Sequence, residues 1–242
     1  VLASQCFSGF SSTMHDPLDN PVWHSLIDAH APYATGCGKA RHYARDIAPF
    51  SAIEDASAQA YADLAAHLPP GVEARLFRPT EELLPAGWEQ LDSFPMLQMV
   101  AKHEVAVMAN GPAVVELGVE SVDAMLALTA VAKPGPFGAQ TVRLGGYIGV
   151  VEDGRLLAMA GERMRVAGHV ELSAICTHPD ARGRGLGARL TAVLTQRAFD
   201  RGERAFLHVR PENEAACALY RQLGFETRRE LRILWRRPIS GA

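Results

Sequence analysis

Apolar and polar residues recur along this chain with two different periods, and each change of period marks an element. Ala56, Ala60, Leu64 and Leu68 keep helical spacing between Ile53 and Leu68, and Pro69-Pro70-Gly71 stops that run. Val72 to Phe77 alternates with period two and predicts a strand. Trp88 to Leu91 and Phe94 to Ala101 predict two more, with Pro95 placing the latter at an edge or bulge. Ahead of these, residues 1 to 20 read as polar loop, and Pro21 to Leu26 starts a short helix after an Asn20 cap. ATGCGKA is glycine-containing loop, and Arg41 to Phe50 is extended. His103 to Ala109 adds a short apolar stretch, and Asn110-Gly111-Pro112 is the strongest break in the chain. The break divides an N-terminal α/β region, residues 1–110, from a second domain, residues 111–242.

Beyond the break, Ser121 to Val131 predicts a helix with Ala124, Leu128 and Val131 on one side. Tyr147 to Val151 and Leu156 to Gly161 alternate as strands around Glu152-Asp153-Gly154-Arg155, whose Asp-Gly is a hairpin signal. Arg163 to Val166 extends the second strand, and Ala167-Gly168 turns the chain into Glu171 to Thr177, an extended run broken by His178-Pro179-Asp180. Leu190, Val193, Leu194 and Ala198 mark a helix face that Arg201-Gly202 ends. Ala205 to Val209 is a buried strand, Pro211 to Leu223 a helix capped by Gly224, and the segment from Phe225 a closing strand. From Gly146 onward the predicted order is β-β-β-α-β-α-β.

Composition narrows the class without naming it. With 242 residues, 48% apolar and 21% charged, the chain has the make-up of a globular domain or pair of domains. A net charge of −3 offers no reason to expect nucleic acid or an anionic membrane surface as partner. No apolar run reaches the ~20 residues that span a bilayer, and the first residues lack the pattern of a signal peptide. Cys6, Cys37, Cys176 and Cys217 are scattered without metal-ligand spacing, which argues for reduced thiols, a cytoplasmic setting and no metal.

The chemistry concentrates at Arg182-Gly183-Arg184-Gly185-Leu186-Gly187-Ala188, between a predicted strand and a predicted helix. A helix start leaves four backbone N–H groups unpaired and carries roughly half a positive charge, and glycine lets the backbone approach an anion. Two familiar loops do not fit. A Walker loop ends in Gly-Lys-Ser/Thr, whereas Gly187 precedes Ala188-Arg189; the dinucleotide fingerprint is G-x-G-x-x-G, whereas these glycines strictly alternate.

The pattern R-x-x-G-x-G after a strand ending in x-H-P resembles the coenzyme A pyrophosphate loop of the GNAT superfamily of N-acyltransferases. The blocks THPDARGRGLG, HVRPENEAACALYRQLGF and GYIGVVEDGRLLAMAGERM carry the resemblance across residues 120 to 236. The hairpin wording and the ICTHP junction look most like the branch with glycine N-acyltransferase-like proteins. The resemblance implies a mixed, mostly antiparallel sheet flanked by helices, preceded by a smaller α/β half whose element order loosely echoes a degenerate duplicate. It also implies transfer of an acetyl group from acetyl-CoA to a primary amine of a small molecule or peptide, by a monomer or homodimer. A non-catalytic module that senses acyl-CoA would share the same cradle and is the rival reading.

On this resemblance, Arg182, Gly183, Arg184, Gly185, Leu186, Gly187 and Ala188 would hold the pyrophosphate, while the backbone of Ile175, Cys176 and Thr177 would bond the pantetheine arm. Asn213 and Tyr220, seven residues apart, share one helix face. Asn213 reads either as a helix cap or as a contact to the arm. Tyr220 reads either as a core aromatic or as the acid that protonates the departing thiolate, which a phenol of pKa about 10 suits. Glu171 reads equally as general base or as an ion-paired carboxylate, with His208 or water as alternative bases. The arginines from Arg228 to Arg237 read as the solvated face of the last strand, with steering of an acidic substrate as the other reading.

Overall fold

The structure, a computed structural model, describes residues 16–106 and 111–239. In chain order it comprises α1 (Pro21–Ile27), β1 (Ala34–Thr35), β2 (Ala40–Tyr43), β3 (Ser51–Ile53), α2 (Ala58–His67), β4 (Ala74–Arg78), β5 (Trp88–Ala101), β6 (Val115–Leu117) and α3 (Val122–Ala132). There follow β7 (Tyr147–Glu152), β8 (Arg155–Val166), β9 (His169–Thr177), α4 (Leu186–Asp200), β10 (Arg204–Val209), α5 (Glu214–Gln222) and β11 (Phe225–Pro238). Eight strands form one sheet in the order β4-β11-β5-β10-β9-β8-β7-β6, and only the β9–β10 pair is parallel. β1 to β3 form a separate antiparallel sheet. The order predicted from Gly146 onward is the order observed.

Local chemistry accounts for most boundaries. The β7–β8 hairpin turns through Asp153 and Gly154, both at positive φ, as a two-residue turn matched to strand twist requires. Ser57 caps α2 with its hydroxyl on the Ala60 N–H, so the helix begins five residues after Ile53, which belongs to β3 instead. Asn20 precedes α1, but its side chain makes no cap; it donates to the Ile53 carbonyl at 2.7 Å and pins the helix to the small sheet.

Three expectations change. The two strands predicted around Pro95 are one strand of 14 residues, β5, lying between β11 and β10. Pro95 is tolerated because β10 flanks only Leu97 to Val100, so at Pro95 the sheet has a local edge. α3 buries Met125 and Leu128, whereas Val131 is exposed and Ala124 faces outward with it. The carboxyl-terminal arginines are not a solvated face: Arg236 is fully buried and donates to the Tyr61 hydroxyl, the Glu82 carbonyl and Gln90, while Arg228 and Arg229 pair with Asp19. They clamp β11 to the first half of the chain.

Strands from both sides of the expected joint share the large sheet, since β4 and β5 flank β11. Asn110 of that joint, residues 107–109 of the apolar stretch before it, and Cys6 lie outside the described residues. One core lies between the sheet and α4 and α5, around Leu190, Leu194, Leu207 and Phe225. A second, on the opposite face, joins α1 and the small sheet to Phe77, Phe206 and Ile233.

Candidate active site

β9 and β10 pair only from Arg204/His169 to Phe206/Glu171; beyond that the two parallel strands diverge. The gap opens a cleft of about 540 Å³, lined by β9 residues Leu172 to Thr177 on one side and Leu207 to Arg210 on the other. Divergence leaves backbone groups of both strands without a ladder partner at that point, so an extended ligand can bond there as another strand would.

A bulge sharpens this edge. Cys176 pairs with Met159 and Ser173 with Gly161, so Ala174 and Ile175 together face Ala160, and Ala174 adopts φ 52°. The extra residue reverses the strand's parity. Val170 and Leu172 pack toward α4, and beyond the bulge Ile175 does so, while Ala174 and Cys176 pack with Met125 and Leu128 of α3. Cys176 is therefore a core thiol whose pKa burial pushes up to about 12, and it offers the cleft only its backbone. This is inert chemistry for a nucleophile.

At the outer end of β9 the chain passes through a single 3-10 turn, Pro179–Ala181, and the glycine loop into α4. Gly183 and Gly185 have φ 77° and 72°, a region where glycine is strain-free, and a Cβ added at either would meet no neighbouring atom. Gly187 needs neither freedom; a Cβ there would sit 3.6 Å from Thr177 Oγ1, ordinary contact. Leu186 is buried and anchors the helix start, with Gly187 and Ala188 in its first turn. Arg182 lines the cleft without an ion-pair partner among the described residues. Arg184 turns away: its guanidinium lies on Glu152, 2.9 Å from Oε2, so it reaches the cradle through its backbone. The loop, the fifteen-residue helix behind it and the split strands fit a diphosphate carrying an extended arm.

Asn213 caps α5, its Oδ1 accepting from the Ala216 N–H at 3.2 Å, and it also lines the cleft, so the two readings of this residue coincide. Its amide nitrogen makes no side-chain bond among the described residues and is free to meet the arm. Two turns on, Tyr220 is 8% exposed, and its hydroxyl has no hydrogen-bond partner among the described residues. Burial pushes that phenol up to about 12, so it is protonated at neutral pH.

At the floor of the split, Glu171 occupies the ion-paired arrangement of its two readings. Arg163 donates to both carboxylate oxygens, each at 2.7 Å, and His208 Nδ1 donates to one of them at 2.7 Å. A second bulge sets this up: Arg163 and Met164 together oppose Glu171 across the β8–β9 ladder. Burial alone would raise the carboxyl pKa, but the Arg163 charge and these hydrogen bonds hold it well below the usual carboxylate range. So depressed a carboxyl is poorly matched to taking a proton from an ammonium group near neutral pH, and the geometry is that of the ion-paired reading of Glu171. His208 is no free base either. Its Nε2 lies 3.2 Å from the Gln98 amide nitrogen, which also donates to the Leu18 carbonyl.

Nothing in the residue pattern pointed to the opposite wall. Phe50, Arg75, Phe77, Phe94, Ile233 and Trp235 all line the cleft, although they come from three strands distant in sequence and from the residue just before β3. Alternation showed that these residues share a strand face, not that the faces adjoin. Among the described residues, no group of three or more His, Cys, Asp or Glu side chains is placed to hold a metal ion.

Comparison with known proteins agrees with this geometry. A model of the family described as FR47-like protein matches residues 147–234. A crystal structure assigned to the GNAT acetyltransferase family, from Novosphingobium aromaticivorans, superposes with a TM-score of 0.85 at 36% identity, covering 93% of this chain and 99% of that one. N-alpha-acetyltransferase RimI of Mycobacterium tuberculosis is 39% identical over 83 residues, 33% of this chain and 51% of its own. Mycothiol acetyltransferase of Saccharomonospora viridis is 43% identical over 58 residues, 24% of this chain and 19% of its own. The matched segments thus span about half and about a fifth of these two curated relatives. The fold and the split-strand site define an acyltransferase of the GNAT type, and the chain belongs to the GNAT family of acetyltransferases.

Proposed function

We propose that this protein is an acetyl-CoA-dependent N-acetyltransferase that transfers the acetyl group directly to a primary amine of a small molecule or peptide. The observation that carries the reading is the divergence of β9 from β10, bounded at one end by the glycine loop and beside it by the Tyr220 hydroxyl. The name N-alpha-acetyltransferase of the RimI relative accords with an amino-group acceptor.

In this mechanism the N–H groups following Gly183 and Gly185 receive the pyrophosphate, and the backbone of Ile175 to Thr177 with the Asn213 amide aligns the arm. The thioester then lies in the split, with a backbone N–H near Ile175 bonding its developing oxyanion. The amine enters from the aromatic wall and forms the N–C bond as the C–S bond breaks. Tyr220 gives its proton to the departing sulfur and regains one from solvent.

The amine's own proton passes to water. The charged residues lining the cleft are Arg75, Lys133, Arg163, Glu171, Arg182 and Arg210, and the single carboxylate among them is already neutralised by Arg163. A cationic cleft lowers the pKa of a bound ammonium group and so favours the nucleophilic, neutral amine. Release of free thiol from acetyl-CoA, measured against a panel of primary amines, tests the reading. Amine-dependent release supports it, and tight coenzyme A binding without release for any amine would instead indicate a sensor.

A further inference from the structure

The aromatic wall lies on one face of four adjacent strands. Register aligns Arg75 of β4 with Trp235 of β11, Ile233 of β11 with Phe94 of β5, and His208 of β10 with Gln98 of β5. Counting by two along each strand places Arg75, Trp235, Phe94 and Arg210 on that same face. The Arg75 guanidinium lies over the Trp235 ring, 4.0 Å from its centroid, and that of Arg210 lies over Phe94, also at 4.0 Å. In the strand order β4-β11-β5-β10, the two outer arginines therefore lean inward over the two central strands. One strand spacing across and two residues along put the guanidiniums roughly 8 Å apart, the span that one anion between them would bridge.

Neither cation makes a contact ion pair among the described residues, although Glu73 lies near enough to act on the Arg75 charge, whereas Arg78, Arg163, Arg165, Arg184, Arg201 and Arg228 are all ion-paired. Trp235 is itself fixed, its indole N–H donating to Glu73 at 2.9 Å, so Arg75 rests on a rigid platform. Stacking holds each guanidinium in place while leaving its in-plane N–H donors free, the arrangement suited to a carboxylate. These arginines do not serve the pyrophosphate. The glycine loop leads into α4, which packs on the other face, with Leu97, Met99, Leu207 and Val209.

We infer that the acceptor is an amine that also carries a carboxylate, bound between Arg75 and Arg210, with an apolar body set against Phe94 and Trp235. The inference rests on the acetyltransferase reading for the identity of the amine, but the anion site stands on its own geometry. It disfavours polyamines and basic peptides, for which the cleft holds no unpaired carboxylate.

Calorimetric titration of N-acetylphenylalanine and of neutral N-acetylphenethylamine against the whole protein tests the site without turnover. The expected result is at least about tenfold tighter binding of the anion, with the preference abolished in Arg75→Gln/Arg210→Gln. Two charge-assisted bonds readily supply a preference of that size. Circular dichroism confirms that the variant is folded, and single Arg75→Lys and Arg210→Lys proteins provide a second reading if it is not. Each should retain the charge but lose part of the preference, because lysine lacks the planar fork. Equal binding of the two compounds, or binding of neither, overturns the inference. Thiol release with phenylalanine and phenethylamine separates this from the wider reading. Release that ignores the carboxylate sinks the anion site alone, and anion-selective binding without release for any amine sinks the transferase alone.

Discussion

Tyr220 is the residue on which the acid half of the proposed reaction turns. Its ring packs in the core while the residue lines the cleft, and burial keeps the proton in place. Tyr220→Phe removes one oxygen and little packing, so turnover should fall about 100-fold while the KM for acetyl-CoA holds. An unchanged kcat would take Tyr220 out of the mechanism. Glu171 and Arg163 carry a structural load instead. Arg163→Ala strands a buried carboxylate and should cost about 3–5 kcal/mol in urea unfolding. A change below about 1 kcal/mol would mean that water reaches the pair. The sequence showed both residues, yet their pairing was not legible: it depends on a bulge that brings Arg163 opposite Glu171, eight positions away in a ladder with irregular register.

At the scale of the element, the three glycines before and within α4 have different reasons to be glycine. Gly183 and Gly185 sit in the left-handed region with open space around them, so alanine at Gly185 is penalised by backbone strain alone, about 1–2 kcal/mol. Gly187 has helical backbone and room for a methyl group, and Gly187→Ala should leave the melting temperature unchanged or higher. If the loop holds pyrophosphate as proposed, Gly187→Ala should nevertheless weaken coenzyme A binding. Calorimetry on both variants tests the separation, and parallel losses of stability and affinity would refute it. The alternation of these glycines was fully legible in the sequence. Which two need positive φ was not, because a glycine's conformation depends on how the strand before it and the helix after it are docked.

Across the whole molecule, α1 and the small sheet cover one face of the large sheet, and His30 is trapped in that layer. It is 4% exposed, its Nδ1 lies 2.9 Å from the Tyr43 hydroxyl, and burial pushes its pKa down to about 4. Above pH 6.5 the ring is neutral in both folded and unfolded chains. Below it the unfolded chain takes up a proton that the folded chain refuses, so stability falls as pH drops from 6.5 toward 4. His24, also lowered by burial, adds in the same sense. Urea unfolding at pH 7.5 and pH 5 should differ by about 2 kcal/mol on account of His30, and His30→Gln should shrink that difference. A difference of the same size in the variant would place the titration elsewhere. Glu171 contributes in a lower window, because its depressed pKa supports the fold above about pH 4.5 and is lost below it.

The amino-acid sequence alone determined the order of strands and helices after Gly146, the hairpin at Asp153-Gly154, the glycine loop and the shared helix face of Asn213 and Tyr220. Each of these is set by interactions within a few residues: periodicity, turn chemistry and capping. The tertiary structure decided where β9 leaves β10, that Glu171 is ion-paired with Arg163, and that the last arginines clamp β11 onto the first half of the chain. It also laid the guanidiniums of Arg75 and Arg210, three strands apart in the sheet, over Trp235 and Phe94 of the two strands between them. Strand neighbours are chosen by long-range pairing and burial, and a local pattern records which way a side chain faces but not what it meets.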